Sequence, residues 1–316
     1  MPAARRRHDP LPASVTAPTP ATVDLHTHTR RSDGVLEPDV LVAAAARAGV
    51  TLLALTDHDT LAGYREVAAA GTPPGLTLLP GVEINCIVPG GGPGLWEGEL
   101  HVLGLGVDPG DGMFEAALVQ QRAARRVRFE RMLSRLRDLG MPIDDEVALL
   151  ASTDDDALGR PTVARALMAR GHATSVEDAF QRLLAHGRPA YVARDGLGPI
   201  DAIRLIRGAG GLAVLAHFGE APERVAVLRE LIEAGLGGLE VHYRAWDPET
   251  VEAVGVVADD LGLVRTGGTD YHGDLGSYAE AHAALYVPDG VGERVRSALA
   301  GAPVSRPDAA SRSPSG

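Results

Sequence analysis

The chain has 316 residues, 45% of them apolar and 23% charged, which is enough for one large α/β domain or a domain carrying an insertion. Its net charge of −12 argues against a broad electrostatic grip on duplex nucleic acid, and the lack of any run of about 18 apolar residues argues against a membrane span. All 30 basic residues are Arg, so a Schiff base, a pyridoxal phosphate attachment, a P-loop and a carbamylated lysine bridge are excluded, and the single cysteine, Cys86, excludes an internal disulfide and a thiolate zinc cage.

Residues 1–21 begin basic, are interrupted by Pro and have no apolar stretch, so they read as a disordered arm rather than a signal peptide, and the cytoplasm is the expected compartment. From Thr22 the pattern alternates short apolar strands with helix-sized segments, the sign of a βα-repeating fold. The first strand, Val23 to His26, leads into His26 and His28, which at a spacing of two can face the same way in extended chain. Asp33 follows in a Ser-Asp-Gly turn and can bring a carboxylate back over the same pocket. A helix from Pro38 to Ala48 ends at Gly49. The second strand, Thr51 to Thr56, runs into T-D-H-D-T, which supplies His58, and is followed by a helix from Leu61 to Ala70. The third, Leu76 to Ile84, supplies Glu83 in P-G-V-E-I-N, and the fourth, Leu100 to Val107, has His101 near its opening.

Residues 111–207 show no convincing strand and read as a helical insertion capping the strand ends. It begins with a long helix carrying Arg122, Arg125, Arg126, Arg128, Arg131, Arg135 and Arg137, which is expected to be mostly a solvated, acid-paired face. Shorter helices follow at Arg160 to Ala169 and Ser175 to Ala185. The βα pattern of residues 22–110 then resumes over 208–301. Strands at Leu212 to Ala216, Gly238 to Val241 and Leu263 to Thr266 supply His217, then His242 nearby, then Asp270 and His272; helices are expected at Ala221 to Ala234 and Pro248 to Leu261. Residues 302–316 read as a disordered tail.

At the mouth of a barrel, strand ends bring together residues remote in sequence. Six histidines, two aspartates and one glutamate without a thiolate exceed what one tetrahedral ion needs and suit two or three divalent ions: manganese first, with zinc or iron as alternatives.

These motifs resemble the PHP (polymerase and histidinol phosphatase) phosphoesterases, and most of all the stand-alone branch that acts on nucleoside phosphates and short RNA. The similarity runs from about Val23 to Pro288 through D-L-H-T-H with S-D-G, L-T-D-H-D-T, P-G-V-E-I, E-L-H-V-L-G, L-G-R-P, G-R-P-A-Y-V, G-G-L-A-V-L-A-H and G-T-D-Y-H-G. The resemblance implies a distorted (β/α)7 TIM-like barrel with an all-helical insertion and a trinuclear site. It assigns His26, His28, Glu83 and Asp270 to one ion, Glu83, His101 and His217 to a second, and Asp33, His58 and His272 to a third. Two positions depart from the family pattern, Phe218 for the usual Pro and Thr162 for a frequent His; neither removes a ligand, and both bear on the substrate wall.

A phosphate ester resists an anionic nucleophile, so the expected chemistry is attack by a metal-bridging hydroxide, with cations on the phosphate oxygens. The leaving oxygen is expected to take its proton from a metal-bound water or a nearby histidine, for which His242 is the candidate, its alternative being a residue that fills the barrel rim. Asp24 is a carboxylate that could orient His26, as Asp57 and Asp59 could other imidazoles or else cap the following helix. Arg160 is the first candidate for gripping phosphate, with Arg194 and Arg244 behind it. The expected substrate is a small nucleotide, a nucleoside 3′,5′-bisphosphate or monophosphate. Alternatives are 5′-to-3′ exonuclease action on short RNA, histidinol phosphate hydrolysis, and a catalytically silent metal-binding regulatory module. No obligate protein partner is evident.

Overall fold

The computed structural model describes residues 21–88, 98–150, 159–273 and 276–301. The expected tail and all of the expected arm except Ala21 lie outside them. Ala21 is buried, and its carbonyl accepts a hydrogen bond from His282 Nε2 at 2.8 Å.

Seven strands form one sheet in sequential order: β1 (Val23–Asp24), β2 (Leu52–Leu55), β3 (Thr77–Val88), β4 (Gly98–Leu105), β5 (Leu212–Leu215), β6 (Gly238–Tyr243) and β7 (Val264–Gly268). The edges approach one another, since Leu25 N donates to Gly267 O at 3.1 Å and Thr27 bridges Tyr271 in parallel. The sheet is therefore nearly closed into a distorted TIM-like barrel. Its main distortion is β4, which pairs antiparallel with both β3 and β5, whereas all the other pairs are parallel. A reversed strand opens at the face where the others end. This is why His101, near the start of β4, reaches the same mouth as residues at the ends of parallel strands.

Side chains alternate across each strand, so one row can be polar at the mouth and apolar below it. On β4 the inner row reads Glu99, His101, Leu103, Leu105; on β3, running the other way, it reads Leu79, Gly81, Glu83, Asn85. Leu103 and Leu105 pack with Val23, Leu52, Leu212 and Val214 below the site. The outer rows of the same two strands, including Val82, Ile84, Cys86, Leu100 and Val102, belong to a separate apolar layer. Cys86 is thus a buried packing residue, pointing away from the mouth.

The flanking helices are α1 (Pro38–Arg47), α2 (Ala62–Ala70), α3 (Gly112–Asp138), α4 (Asp144–Leu150), α5 (Arg160–Ala169), α6 (Val176–Ala179), α7 (Pro199–Gly208), α8 (Val225–Glu233), α9 (Pro248–Asp260), α10 (Tyr278–Ala283) and α11 (Val291–Ala300). A π-helical turn, Phe180–Leu184, continues α6. Helices α3 to α6 have an apolar cluster of their own, with Phe129, Met132, Leu136, Val163 and Leu167 at its centre. No helix among the described residues is long and apolar enough to cross a membrane.

Several arginines of α3 are structural ties rather than a solvated face. Arg122 donates to Asp59 O at 2.7 Å, Arg125 pairs with the Asp59 carboxylate, Arg128 donates to Val192 O at 2.8 Å and Arg135 donates to Tyr191 O. The long helix is fastened in this way to the loop after β2 and to the segment before α7.

The Gly267–Gly268 pair at the end of β7 is set by close approach of backbones. A β-carbon on Gly268 would lie 2.4 Å from His26 Cβ and 2.6 Å from His26 N. Gly268→Ala should therefore destabilise the fold by about 1–3 kcal/mol through overpacking and displace His26, seen as a lower denaturation midpoint together with weaker metal uptake.

Candidate metal centre

The chain leaves β1 in extended form and buries both His26 and His28 completely. The loop that follows is pinned by one carboxylate: Asp57 accepts from Thr29 N at 2.7 Å, from Thr29 Oγ1 and from Ser32 Oγ at 2.8 Å. Gly34 closes the turn where a β-carbon would sit 2.3 Å from His28 O. The loop thereby folds back and carries Asp33 over the histidines.

The nine donors predicted from sequence converge in three overlapping groups. They are His26, His28, Glu83 and Asp270; Glu83, His101 and His217; and His28, Asp33, His58 and His272. Within each group the donor atoms lie within 4.8 Å of one another. Glu83 belongs to two groups, with Oε2 3.0 Å from His28 Nε2 and Oε1 2.7 Å from His101 Nδ1. His28 also belongs to two, which adds a fourth member to the set expected from Asp33, His58 and His272. Asp59, His217 and Asp270 adopt left-handed backbone at φ of 56°, 34° and 48°. Such strain costs on the order of 1 kcal/mol or more per residue and persists only where the surroundings enforce it.

Burial opposes ionisation of Glu83, yet His58, His26 and His101 hold its carboxyl well below the usual range. Burial likewise opposes charge on His272, but Asp33 at 3.1 Å and Asp270 raise its pKa to about 10. Burial opposes charge on His26, His28 and His217 too, yet nearby carboxylates raise all three, whereas burial holds His58 and His101 below the usual imidazole range. The Nε2 atoms of His26 and His28 are buried without a hydrogen-bond partner, although each lies 3.3 Å from Asp270 Oδ1. Orphaned nitrogens facing carboxylate oxygens, with no sulfur nearby, are what a borderline-to-hard divalent cation requires.

The PHP domain profile matches residues 24–242. The chain belongs to the PHP family. It is 34% identical over 257 residues to the 3′,5′-nucleoside bisphosphate phosphatase of Chromobacterium violaceum, covering 80% of this chain and 87% of that one. With the 5′-3′ exoribonuclease Rnm of Salmonella typhimurium it shares 32% identity over 277 residues, or 85% of this chain and 90% of that one. A solved amidohydrolase from Chromobacterium violaceum, with bound sulfate and no metal, superposes with a TM-score of 0.72 at 31% identity, covering 86% of this chain and all of that one. The present protein is accordingly a hydrolytic phosphoesterase of the PHP type, and its clustered donors fit the divalent metals on which such enzymes depend.

Around the PHP donor set the supporting residues differ from those expected. Asp24 does not touch the His26 ring; it accepts from Thr269 N at 2.9 Å, Thr269 Oγ1 at 2.8 Å and Tyr278 Oη at 2.7 Å, and so clasps the ends of the sheet together. The carboxylate that orients His26 is Glu240, with Oε1 3.0 Å from Nδ1, while its Oε2 accepts from His217 N at 2.8 Å. Glu240 stands in G-L-E-V-H-Y, two residues before the histidine singled out from sequence. His242 is displaced by an irregularity of register between Glu240 and His242 and packs against Gly267, outside the cavity lining. Burial, with Arg265 and Arg294 nearby, pushes its pKa down to about 4, which does not suit the proton-donor role expected of it. Asp59 neither caps α2 nor orients an imidazole, being paired with Arg125; Asp57 secures a loop rather than a ring. Asn85 Nδ2 is 3.1 Å from His58 Nδ1, a contact that P-G-V-E-I-N allowed but did not announce. Tyr243 donates its hydroxyl to Asp270 Oδ2 at 3.0 Å, leaving Oδ1 toward the histidines.

Seven of the nine donors, all but the fully buried His26 and His28, line a cavity of about 650 Å³ together with Val35, Pro161, Arg165, Val176, Tyr243 and Arg244. Arg160 and Arg194 are not in its lining; both pair with Glu99 Oε1, at 3.0 and 3.3 Å. Arg244 lines the cavity and donates to the carbonyls of Thr269 and Asp270. Phe218 and Thr162 are buried.

Two outcomes follow from this arrangement. Glu240→Gln should weaken divalent-ion affinity by about 10- to 100-fold in a metal titration, the usual cost of losing a carboxylate behind a ligating imidazole, whereas Asp24→Asn should lower the melting temperature with a smaller effect on affinity. A cation entering the site must also displace the proton that His272 retains up to about 10. The ion-free chain therefore binds more protons than the loaded one, and the apparent Mn2+ affinity should tighten as pH is raised across about 6 to 9.

Proposed function

We propose that this PHP phosphoesterase removes phosphate from a small nucleotide, a nucleoside 3′,5′-bisphosphate or a monophosphate, using three divalent ions with manganese preferred. The observation that carries the reading is the triple, overlapping donor set on the floor of one cavity, in which Glu83 is common to two groups and His28 to two. Nine nitrogen and oxygen donors without a thiolate fit three ions better than one.

Divalent ions held by these residues would supply positive charge against phosphate oxygens and lower the pKa of water. The chain's own contribution is positional. Glu240 fixes Nδ1 of His26, so that Nε2 faces Glu83 and Asp270. Tyr243 fixes Oδ2 of Asp270. Burial, with Asp270 and Glu240 nearby, raises the phenol pKa, so the hydroxyl remains a donor. With His242 outside the cavity lining, the leaving oxygen would take its proton from water or from an imidazole that lines the cavity, such as His272. The apolar side chains of Val35, Pro161 and Val176 give a nucleoside an apolar surface in the same cavity, in a volume typical of small-molecule sites.

The name of the Chromobacterium violaceum relative supports the bisphosphate reading, and the name of the Salmonella typhimurium relative supports a second one, stepwise 5′-to-3′ cleavage of short RNA. The second shares the donor set and differs in the bond cut: an internucleotide diester, releasing a mononucleotide and no orthophosphate, where the first cuts a monoester and releases orthophosphate with the remaining nucleotide or nucleoside.

The deciding experiment incubates the Mn2+-loaded protein with adenosine 3′,5′-bisphosphate, AMP, p-nitrophenyl phosphate, histidinol phosphate and a 5′-phosphorylated RNA tetramer. Orthophosphate from the nucleotides, lost on chelation and restored by Mn2+, is the expected outcome. Mononucleotides from the tetramer alone would move the assignment to the exonuclease, and inertness toward every ester with metal bound would leave a silent metal-binding module.

A further inference from the structure

Most of the cations near the cavity are already engaged. Arg160 and Arg194 share the Glu99 carboxylate, Arg125 holds Asp59, and Arg244 is committed to the Thr269 and Asp270 carbonyls. Each would have to give up a short polar contact before gripping a ligand.

Arg165 differs. It lies on α5, one turn and a half beyond Arg160, and is among the residues that line the cavity. Its one hydrogen bond among the described residues is long, from Nε to Pro161 O in its own helix at 3.4 Å. No carboxylate pairs with it there. Because the side chain is half-buried, its charge is less screened than that of a surface arginine, and both terminal nitrogens remain available for a fork-like bond to an oxyanion. Around it Val35, Pro161 and Val176 are apolar, with Val35 and Val176 still 44% and 41% exposed, so Arg165 is a lone cation on a greasy rim.

The donor set and Arg165 face the same enclosed space with complementary preferences. The floor takes the reacting phosphate through cations; the rim offers apolar surface for a sugar or base and then one uncommitted guanidinium. We propose that Arg165 is a specificity-determining residue that binds the second, non-reacting phosphate of the substrate. The inference rests on the proposed phosphatase reading and narrows it to compounds with two phosphate groups on one nucleoside. It also moves phosphate recognition from Arg160, the residue favoured by the L-G-R-P motif, to the arginine one turn and a half further along.

The test compares Arg165→Ala, Arg165→Lys and Arg160→Ala in the Mn2+-loaded protein, reading the ratio of kcat/KM for adenosine 3′,5′-bisphosphate to that for p-nitrophenyl phosphate. Loss of a charged hydrogen-bond pair should lower this ratio by about 10- to 100-fold in Arg165→Ala, chiefly through KM for the bisphosphate. Lysine should recover part of the loss, and Arg160→Ala should shift the ratio less. A ratio within about twofold of the parent in Arg165→Ala, or a larger drop in Arg160→Ala, would overturn the inference while leaving the phosphatase reading intact. If the parent protein cleaves neither compound, the phosphatase reading falls and takes the inference with it. Circular dichroism melting of each variant separates recognition from misfolding: equal melting with a lowered ratio supports the proposal, and a lowered ratio that tracks loss of folded protein counts against it.

Discussion

One buried carboxylate governs this molecule. Glu83 is 1% exposed, points inward from the middle of the longest strand and faces His26, His28, His58, His101 and His217. A charge so deeply desolvated is untenable alone and becomes tolerable only inside a shell of positive partners. The strand register, the reversed β4 and the loop pinned by Asp57 all help to furnish that shell. Glu240 holds the His26 ring from behind at Nδ1, and Asn85 meets His58 at the same Nδ1 that faces Glu83, so that the polar heart of the barrel forms one connected network.

Much of this was readable from residue order because the donors sit where strands stop. His26, His28, His58, Glu83, His217 and Asp270 each follow or end an apolar run, and the structure gathers all of them at one mouth. The seven strands and the strand-free stretch after β4 were legible for the same reason, since burial on both faces leaves a continuous apolar signature. The bounds of α5 were legible too, because Pro161 in its first turn marks the start.

What could not be read depended on direction and distance. Periodicity does not distinguish a strand running up from one running down, so the antiparallel course of β4 emerged only from its pairing. In G-L-E-V-H-Y the histidine was the more conspicuous residue, but a shift of register turned it away and left Glu240 facing the site. Asp24, two residues before His26, suggested a ring partner; instead its oxygens are used by Thr269 and Tyr278, both more than 240 residues away along the chain. The arginines of α3 resembled a solvated face because their carbonyl acceptors, at Asp59, Tyr191 and Val192, are invisible to any local pattern.

The reversed strand has a wider consequence. Since β4 runs downward, the chain leaves it at the base of the barrel. Helix α3, 27 residues long and therefore about 40 Å, then climbs the flank to dock beside the loop that carries His58. Helices α3 to α6 then pack on an apolar cluster of their own, tied on by a few arginines, and bring Pro161, Arg165 and Val176 to the cavity. All nine donors thus come from the barrel stretches, whereas the cavity wall is shared between those stretches, through Val35, Tyr243 and Arg244, and the helical excursion. Change confined to that excursion would therefore reshape one side of the cavity while leaving every nitrogen and oxygen donor where it stands.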